Sequence, residues 1–186
     1  LGELVNDAEQ GFHPGALAPL AVAAQTVTEG AELGIEVAHC RDGAETVGHN
    51  LVITNYDRLH RFDPDQFGGV VLDESSCIKH HDTKTLAMLL DAFRDTPYKL
   101  CATATPAPND WTELGTHAEF LNVCSRAEML SEYFVHDGGE TQVWRLKGHA
   151  RRAFWQWVAS WGALVRSPAD LGFDATAYRL PPLNVH

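Results

Sequence analysis

Twice in this chain a short, unbroken apolar run stops at polar residues, and the stretch between the two reads as a helix. Val70-Val71-Leu72 leads into Asp73-Glu74-Ser75-Ser76, and Leu100-Cys101-Ala102 leads into Thr103-Ala104-Thr105-Pro106. Continuous rather than alternating apolar runs belong to strands covered on both faces, which is how the strands of a parallel sheet are buried. Between them Leu86, Leu89, Leu90 and Phe93 fall at i, i+3, i+4 and i+7, one face of a helix for which Asp82 is a fitting N-cap. Strand, helix, strand in that order is the crossover unit of α/β architecture, and the apolar stripe is most simply its core face.

The same pattern extends in both directions. Further candidate strands cover residues 16–20, 35–39 and 51–55, joining those at 69–73 and 98–103, so the expected fold is α/β with a mostly parallel sheet. After Asn122 the texture changes. His136-Asp137-Gly138-Gly139 precedes a tryptophan-rich segment in which Phe154, Trp157, Val158, Trp161, Leu164 and Val165 trace one helical face. Pro168 and then Pro181-Pro182 punctuate its far side. At that spacing Trp155, Trp157 and Trp161 read as packing residues rather than stacking platforms.

With 186 residues, 45% of them hydrophobic, the chain can bury one sizeable core and a small appended unit. No apolar stretch approaches the roughly 18 to 20 residues that cross a bilayer, and no charged-then-apolar leader opens the sequence, so a cytoplasmic location without a membrane partner is expected. Cys40, Cys77, Cys101 and Cys124 form no C-x-x-C pair, which fits reduced, mostly buried thiols. His80 and His81 are adjacent; in an extended segment neighbours point to opposite faces, so a shared metal is not expected there.

Charge is unevenly spread. The formal net charge is −11, yet no acidic residue lies between Thr141 and Ala169, where Arg145, Lys147, Arg151, Arg152 and Arg166 lie. Removing those five from the fourteen basic residues leaves nine against twenty-five acidic ones, −16 for the rest of the chain. A localised basic segment on an acidic molecule is what phosphate binding needs, though a solvated helix face has the same composition.

Ligands of open parallel sheets gather outside the carboxyl ends of the strands, where Asp73 and Glu74 are expected. Phosphoryl transfer needs a hard cation held by oxygen ligands and a group that orients the attacking water, and two successive carboxylates can supply both. In that role Asp73 holds Mg²⁺ through water and Glu74 polarises the hydrolytic water. The plain alternative is that the pair caps the helix downstream. A two-metal nuclease requires a third acidic ligand at a recognisable spacing, and none stands out. Thr103 and Thr105 end the neighbouring strand, where their hydroxyls are expected to bond the carboxylates, and Pro106 stiffens the loop that follows.

In order along the chain, the segments Ala18-Pro19-Leu20 with Gln25, Ile53-Thr54-Asn55-Tyr56-Asp57-Arg58-Leu59, Asp73-Glu74-Ser75-Ser76 with Ile78-Lys79, and Ala104-Thr105-Pro106-Ala107-Pro108-Asn109 with Glu113-Leu114 match motifs Ia, Ib, II and III of one family. The chain resembles the first motor lobe of SWI/SNF-type ATPases of helicase superfamily two, most closely the compact DEAD/DEAH-like helicases of phages and bacteria. The likeness continues through Leu164-Val165-Arg166 and Leu180-Pro181-Pro182.

That resemblance implies a three-layer RecA-like lobe over residues 1–125 and a basic, helical extension over 126–186 that leads to a second lobe. It implies ATP and Mg²⁺ as cofactors, with Asp73 and Glu74 catalytic, Asp73 the metal residue, and Thr103, Thr105, Pro106 and Asn109 the coupling motif. It implies a DNA partner held through backbone phosphates without sequence reading, with Pro19, Thr54 and Asn55 facing it, while the basic segment adds Arg151 and Arg152.

The departures carry equal weight. None of Lys79, Lys84, Lys99 and Lys147 follows a glycine, so the G-x-x-x-x-G-K-[ST] phosphate loop has no counterpart. The opening residues 1–15 do not read as the helix and strand that precede motif Ia, and the second lobe is absent beyond His186. The expectation is a fragment or degenerate copy of an ATP-dependent DNA translocase or helicase that does not turn over ATP alone. The alternatives are a non-enzymatic relic lobe that binds DNA or a protein and, well behind it, a nuclease built on Asp73 and Glu74.

Overall fold

In the computed structural model, which describes residues 14–18, 22–136 and 143–176, the apolar runs form β1 (Pro14–Ala18), β2 (Ala38–His39), β3 (Val52–Asn55), β4 (Gly69–Asp73) and β5 (Tyr98–Ala102). They make a parallel sheet in the order β2-β3-β1-β4-β5. Every strand therefore delivers its carboxyl end to one rim. Ala16 of β1 stands level with Ile53 of β3 and Val71 of β4, and Asp73 at the end of β4 stands level with Ala102 of β5.

Strand limits differ from the expected ones where burial and backbone pairing part company. Within 35–39 only Ala38 and His39 join the ladder, although Val37 is buried beside Ala23, Leu51 and Ile53 with Ile35 packed against them. Ile35 and Val37 are apolar because they pack into the core, and only the end of the segment pairs. β1 begins earlier than residue 16 and ends at Ala18; the expected positions 19 and 20 fall outside the described residues.

Helix α1 (Ala23–Glu32) lies on this smaller core, and Gly30 allows the approach: a Cβ there would meet Val37 Cγ2 at 2.7 Å and the Ile35 carbonyl oxygen at 2.9 Å. Helix α2 (Lys84–Ala92) is the crossover between β4 and β5. Its N-cap is Thr83 rather than Asp82, since the Thr83 hydroxyl accepts from the Leu86 amide at 3.2 Å. Leu86, Leu89 and Phe93 enter the main core with Val52, Val70, Leu72, Ile78 and Phe120, while Leu90 packs at its margin. At about 1.5–3 kcal/mol for each large apolar side chain, this cluster is the principal source of stability for the sheet.

Helices α3 (Leu114–Phe120) and α4 (Arg126–Tyr133) follow, with Ser125 and Glu128 closing a capping box: the Glu128 amide donates to Ser125 Oγ at 3.2 Å and the Ser125 amide donates to Glu128 Oε2 at 2.8 Å. An antiparallel pair, β6 (Phe134–His136) and β7 (Trp144–Leu146), sets the His136 and Trp144 rings edge to face at 5.1 Å.

The chain divides into two compact units, 1–146 and 147–186. In the second, α5 (Arg151–Trp161) carries a run of ring contacts: Phe154 with Trp155 and Trp157 at 5.1 and 5.8 Å, and Trp157 with Trp161 at 5.3 Å. The helix was expected to continue through Leu164 and Val165. It stops at Gly162, whose backbone is extended, and leaves those two residues 84% and 50% exposed. Among the described residues no helix is long and apolar enough to cross a membrane.

Candidate active site

Because β4 and β5 are neighbouring parallel strands, the acidic doublet and the threonine-proline corner leave the sheet side by side at the same rim. Asp73 is the last residue of β4 and is half-buried; Glu74, just beyond, is exposed. Glu74 takes φ 50° and ψ 46°, a left-handed conformation that L-residues other than glycine adopt at a cost of about 1–2 kcal/mol. Strain of this kind persists only where the surroundings impose it, and it collects at functional sites. The imposing contact is visible: the Glu74 amide donates to Asp73 Oδ1 at 3.0 Å.

The helix-capping alternative fares poorly here. Glu74 precedes the 3-10 turn Ser75–Ile78, yet its side chain makes no capping hydrogen bond to that turn, and α2 is capped by Thr83. The strained backbone instead turns the Glu74 carboxylate out of the sheet while Asp73 keeps one oxygen on the turn.

Three side chains fix this turn from behind. The Tyr56 hydroxyl, just past β3, donates to the Asp73 carbonyl at 2.7 Å, and burial raises its pKa far above the ordinary phenol range. Ser75 is fully buried, with its Oγ 3.3 Å from His117 Nε2 on α3 and within bonding reach of the Cys101 thiol on β5. Burial pushes the Cys101 thiol up to about 12, so it stays protonated.

His117 is 2% exposed, and its Nδ1 lies 3.4 Å from the Glu113 carbonyl oxygen. A carbonyl only accepts, so Nδ1 can donate to Glu113, while Nε2 lies within hydrogen-bond distance of the Ser75 hydroxyl. Burial pushes the imidazole pKa down, against the smaller upward pull of the Glu113 and Ser75 carbonyls, and keeps the ring neutral.

The loop after β5 is organised by its own hydrogen bonds. Thr103 Oγ1 accepts from the Thr105 amide at 3.1 Å, closing a local turn. The expected bonds from the Thr103 and Thr105 hydroxyls to the carboxylates are not formed among the described residues; the Thr103 hydroxyl is occupied by its own loop, and Thr105 and Pro106 are exposed. Asn109 is held instead by the buried Glu113 carboxylate, its amide nitrogen at 3.3 Å from Oε2 and its Nδ2 at 3.0 Å from Oε1. Asp110 caps the 3-10 turn Trp111–Glu113 by accepting from the Thr112 amide at 2.8 Å.

The residues expected to face DNA divide differently. Pro19 lies outside the described residues. Thr54 and Asn55 are only 4% and 6% exposed, and Thr54 Oγ1 and Asn55 Oδ1 have no hydrogen-bond partner among the described residues. As they stand, these two side chains are not offered to a polyanion. Arg151 and Arg152 are exposed at the start of α5, in the second unit, whereas Arg166 is engaged by Asp170, with Nη2 at 3.5 Å from Oδ1.

Two of these residues escape a motif reading. His117 sits four residues after Glu113, the N-cap of α3, and that spacing was the one available signal. Tyr56 lay inside a matched segment without a role.

No protein-family model and no curated protein matches the chain. Among solved structures, the SWI2/SNF2 ATPase core of Sulfolobus solfataricus in complex with dsDNA is similar at a TM-score of 0.53 and 21% identity over 69% of this chain. The fold is shared with a SWI2/SNF2 motor core. The chain spans 30% of that protein's length.

Oxygen donors at the rim suit a hard cation such as Mg²⁺ held through water: Asp73 has a carboxylate oxygen beyond the one bonded to the turn, and Glu74 is open to solvent. For ATP the fit is partial, since the chain has no glycine-lysine loop to cradle phosphates.

Proposed function

We propose that this chain forms most of the first RecA-like lobe of a DNA-dependent ATPase of SWI/SNF type, with residues 1–125 the lobe proper and 126–186 its basic extension. The observation that carries the reading is the adjacency of the Asp73-Glu74 turn and the 103–109 loop on the carboxyl rim of a parallel sheet, in a fold shared with a SWI2/SNF2 ATPase core.

In this reading Asp73 would hold Mg²⁺ through water and Glu74 would take a proton from the water that attacks a phosphoryl group; the cation, when bound, would supply neutralisation of phosphate charge. The chain's own contribution is orientation: Tyr56 fixes the end of β4 and the strained backbone aims Glu74 outward. The phosphate-cradling loop and a second lobe come from outside these residues, and DNA is held through its backbone phosphates.

The test is nucleotide hydrolysis. The longer protein that carries this chain should hydrolyse ATP in the presence of DNA and lose at least a hundredfold in kcat on Glu74→Gln, whereas these 186 residues alone should stay at background. Robust DNA-stimulated turnover by the 186 residues alone, or full activity in Glu74→Gln, rejects the assignment.

A second reading is a non-enzymatic lobe that uses the second unit to hold a polyanion. It is favoured by the position of Arg151 and Arg152 in the first turn of α5, where the helix dipole is unfavourable to positive charge and no acidic side chain lies in that first turn. A bound phosphate backbone would relieve that arrangement.

A further inference from the structure

The proposed function places chemistry at the Asp73-Glu74 turn and movement at the 103–109 loop, yet the side chains expected to join them do not. Thr103 is bonded within its own loop, and Thr105 is exposed. A continuous connection does exist, and it runs behind the rim. From the acidic turn, Ser75 Oγ meets His117 Nε2 at 3.3 Å. His117 Nδ1 meets the Glu113 carbonyl at 3.4 Å, and the Glu113 carboxylate grips the amide and side chain of Asn109 at 3.3 and 3.0 Å. Thr116 Oγ1 donates to the same Glu113 carbonyl at 2.9 Å, so the first turn of α3 is pinned from two sides.

Three physical features make this more than incidental packing. Ser75, Glu113 and His117 are all buried, so the two bonds of the His117 ring form away from water and an unmade one leaves a polar group stranded, while the Glu113–Asn109 bonds reach the surface. Both ring nitrogens are engaged: Nδ1 faces the Glu113 carbonyl and Nε2 faces the Ser75 hydroxyl. Ser75 also adjoins Glu74, the residue in the strained left-handed conformation, so any shift of the Ser75 side chain is felt by the backbone that aims the carboxylate.

We propose that His117 is a positioning residue that fixes the Asp73-Glu74 turn through Ser75 and ties it, through Glu113, to the loop ending at Asn109. This inference rests on the ATPase reading above and adds the route by which the two parts of the site share one geometry. His117 touches no substrate; it acts by holding Ser75 and α3 in one arrangement. Leucine could fill much of the same space without either hydrogen bond, whereas glutamine places an amide close to where Nε2 stands and can keep the bond to Ser75.

The experiment uses the longer protein, assayed for steady-state ATP hydrolysis with saturating duplex DNA. His117→Leu is expected to lower kcat at least tenfold while KM for ATP stays within about twofold, and His117→Gln to recover kcat to within about threefold of the parent. Ser75→Ala should lose as much as His117→Leu, and the double variant no more than either single one, because both remove the same link. Thermal midpoints of all variants, read alongside, separate this from loss of fold: a purely structural role would lower the midpoint and the amount of active enzyme without the rescue by glutamine or the shared loss with Ser75. If the parent hydrolyses ATP and His117→Leu keeps its kcat, or if the two single losses multiply in the double variant, the inference fails and the ATPase reading stands. If the parent hydrolyses no ATP, both fall.

Discussion

Glu74 occupies a backbone conformation that its own side chain does nothing to favour. At φ 50° a β-branched residue would be worse placed and glycine would be at ease. Glu74→Val should therefore destabilise the fold by about 1–2 kcal/mol although the position is exposed, while Glu74→Gly should be neutral or better, as read from urea midpoints. Equal losses for the two substitutions would show that the strain is not carried by this backbone.

His117 makes a second prediction at this scale. Its pKa is depressed by burial, so below the ordinary histidine value of about 6.5 the unfolded chain takes up a proton that the folded chain refuses. The associated stability is present above about pH 6.5 and is lost as pH falls towards the lowered folded value. Between about pH 7.5 and 5.5 the parent's urea midpoint should fall more than that of His117→Gln. Identical slopes would mean that the ring is not held neutral.

At the scale of elements, the apolar runs located the strands: β3 and β4 lie inside the sheet and are largely buried, whereas β5 is an edge strand that leaves Tyr98 and Leu100 exposed, so its run was not covered on both faces as expected. β4 was legible to the residue, and β3 and β5 to within one. Where the limits slipped, a nearby physical choice decided them. The expected cap at Asp82 was displaced by its neighbour because the Thr83 hydroxyl reaches the Leu86 amide. Removing the true cap, Thr83→Ala, should cost about 1 kcal/mol and Asp82→Ala close to nothing, a contrast that a pair of denaturation curves measures directly. The Trp-rich helix was drawn too long because Leu164 and Val165 fit a helical stripe, yet Gly162 ends the helix and exposes them.

The site divides in the same way. Asp73, Glu74 and the Thr-Pro loop were readable since each is local in sequence and ends a recognisable run. The Ser75–His117 link spans 42 residues and depends on how α3 docks beside β4 and β5, which no local pattern records.

For the molecule as a whole, the charge map separates two behaviours. The acidic majority should repel nucleic acid, and only the segment around Arg151 and Arg152 offers clustered positive charge. If the second unit holds DNA through phosphates, the logarithm of affinity should fall linearly with the logarithm of salt, and Arg151→Ala with Arg152→Ala should flatten that slope by about 2. Binding unaltered by both salt and the double substitution would remove the second unit as a DNA contact. The fold likeness to a SWI2/SNF2 core covers 69% of the chain, while the sequence identity of 21% lies in a range where shared architecture says little about shared chemistry. Hydrolysis and affinity measurements therefore carry more weight than further superposition.

The left-handed turn at position 74 has an evolutionary corollary. Selection for folding alone would let that codon drift towards glycine or asparagine, whereas selection for hydrolysis would hold it at glutamate against the slope. A library of position-74 variants sorted once for soluble expression and once for ATP turnover should return two different winners, and the gap between them would measure how far this turn is kept for its chemistry.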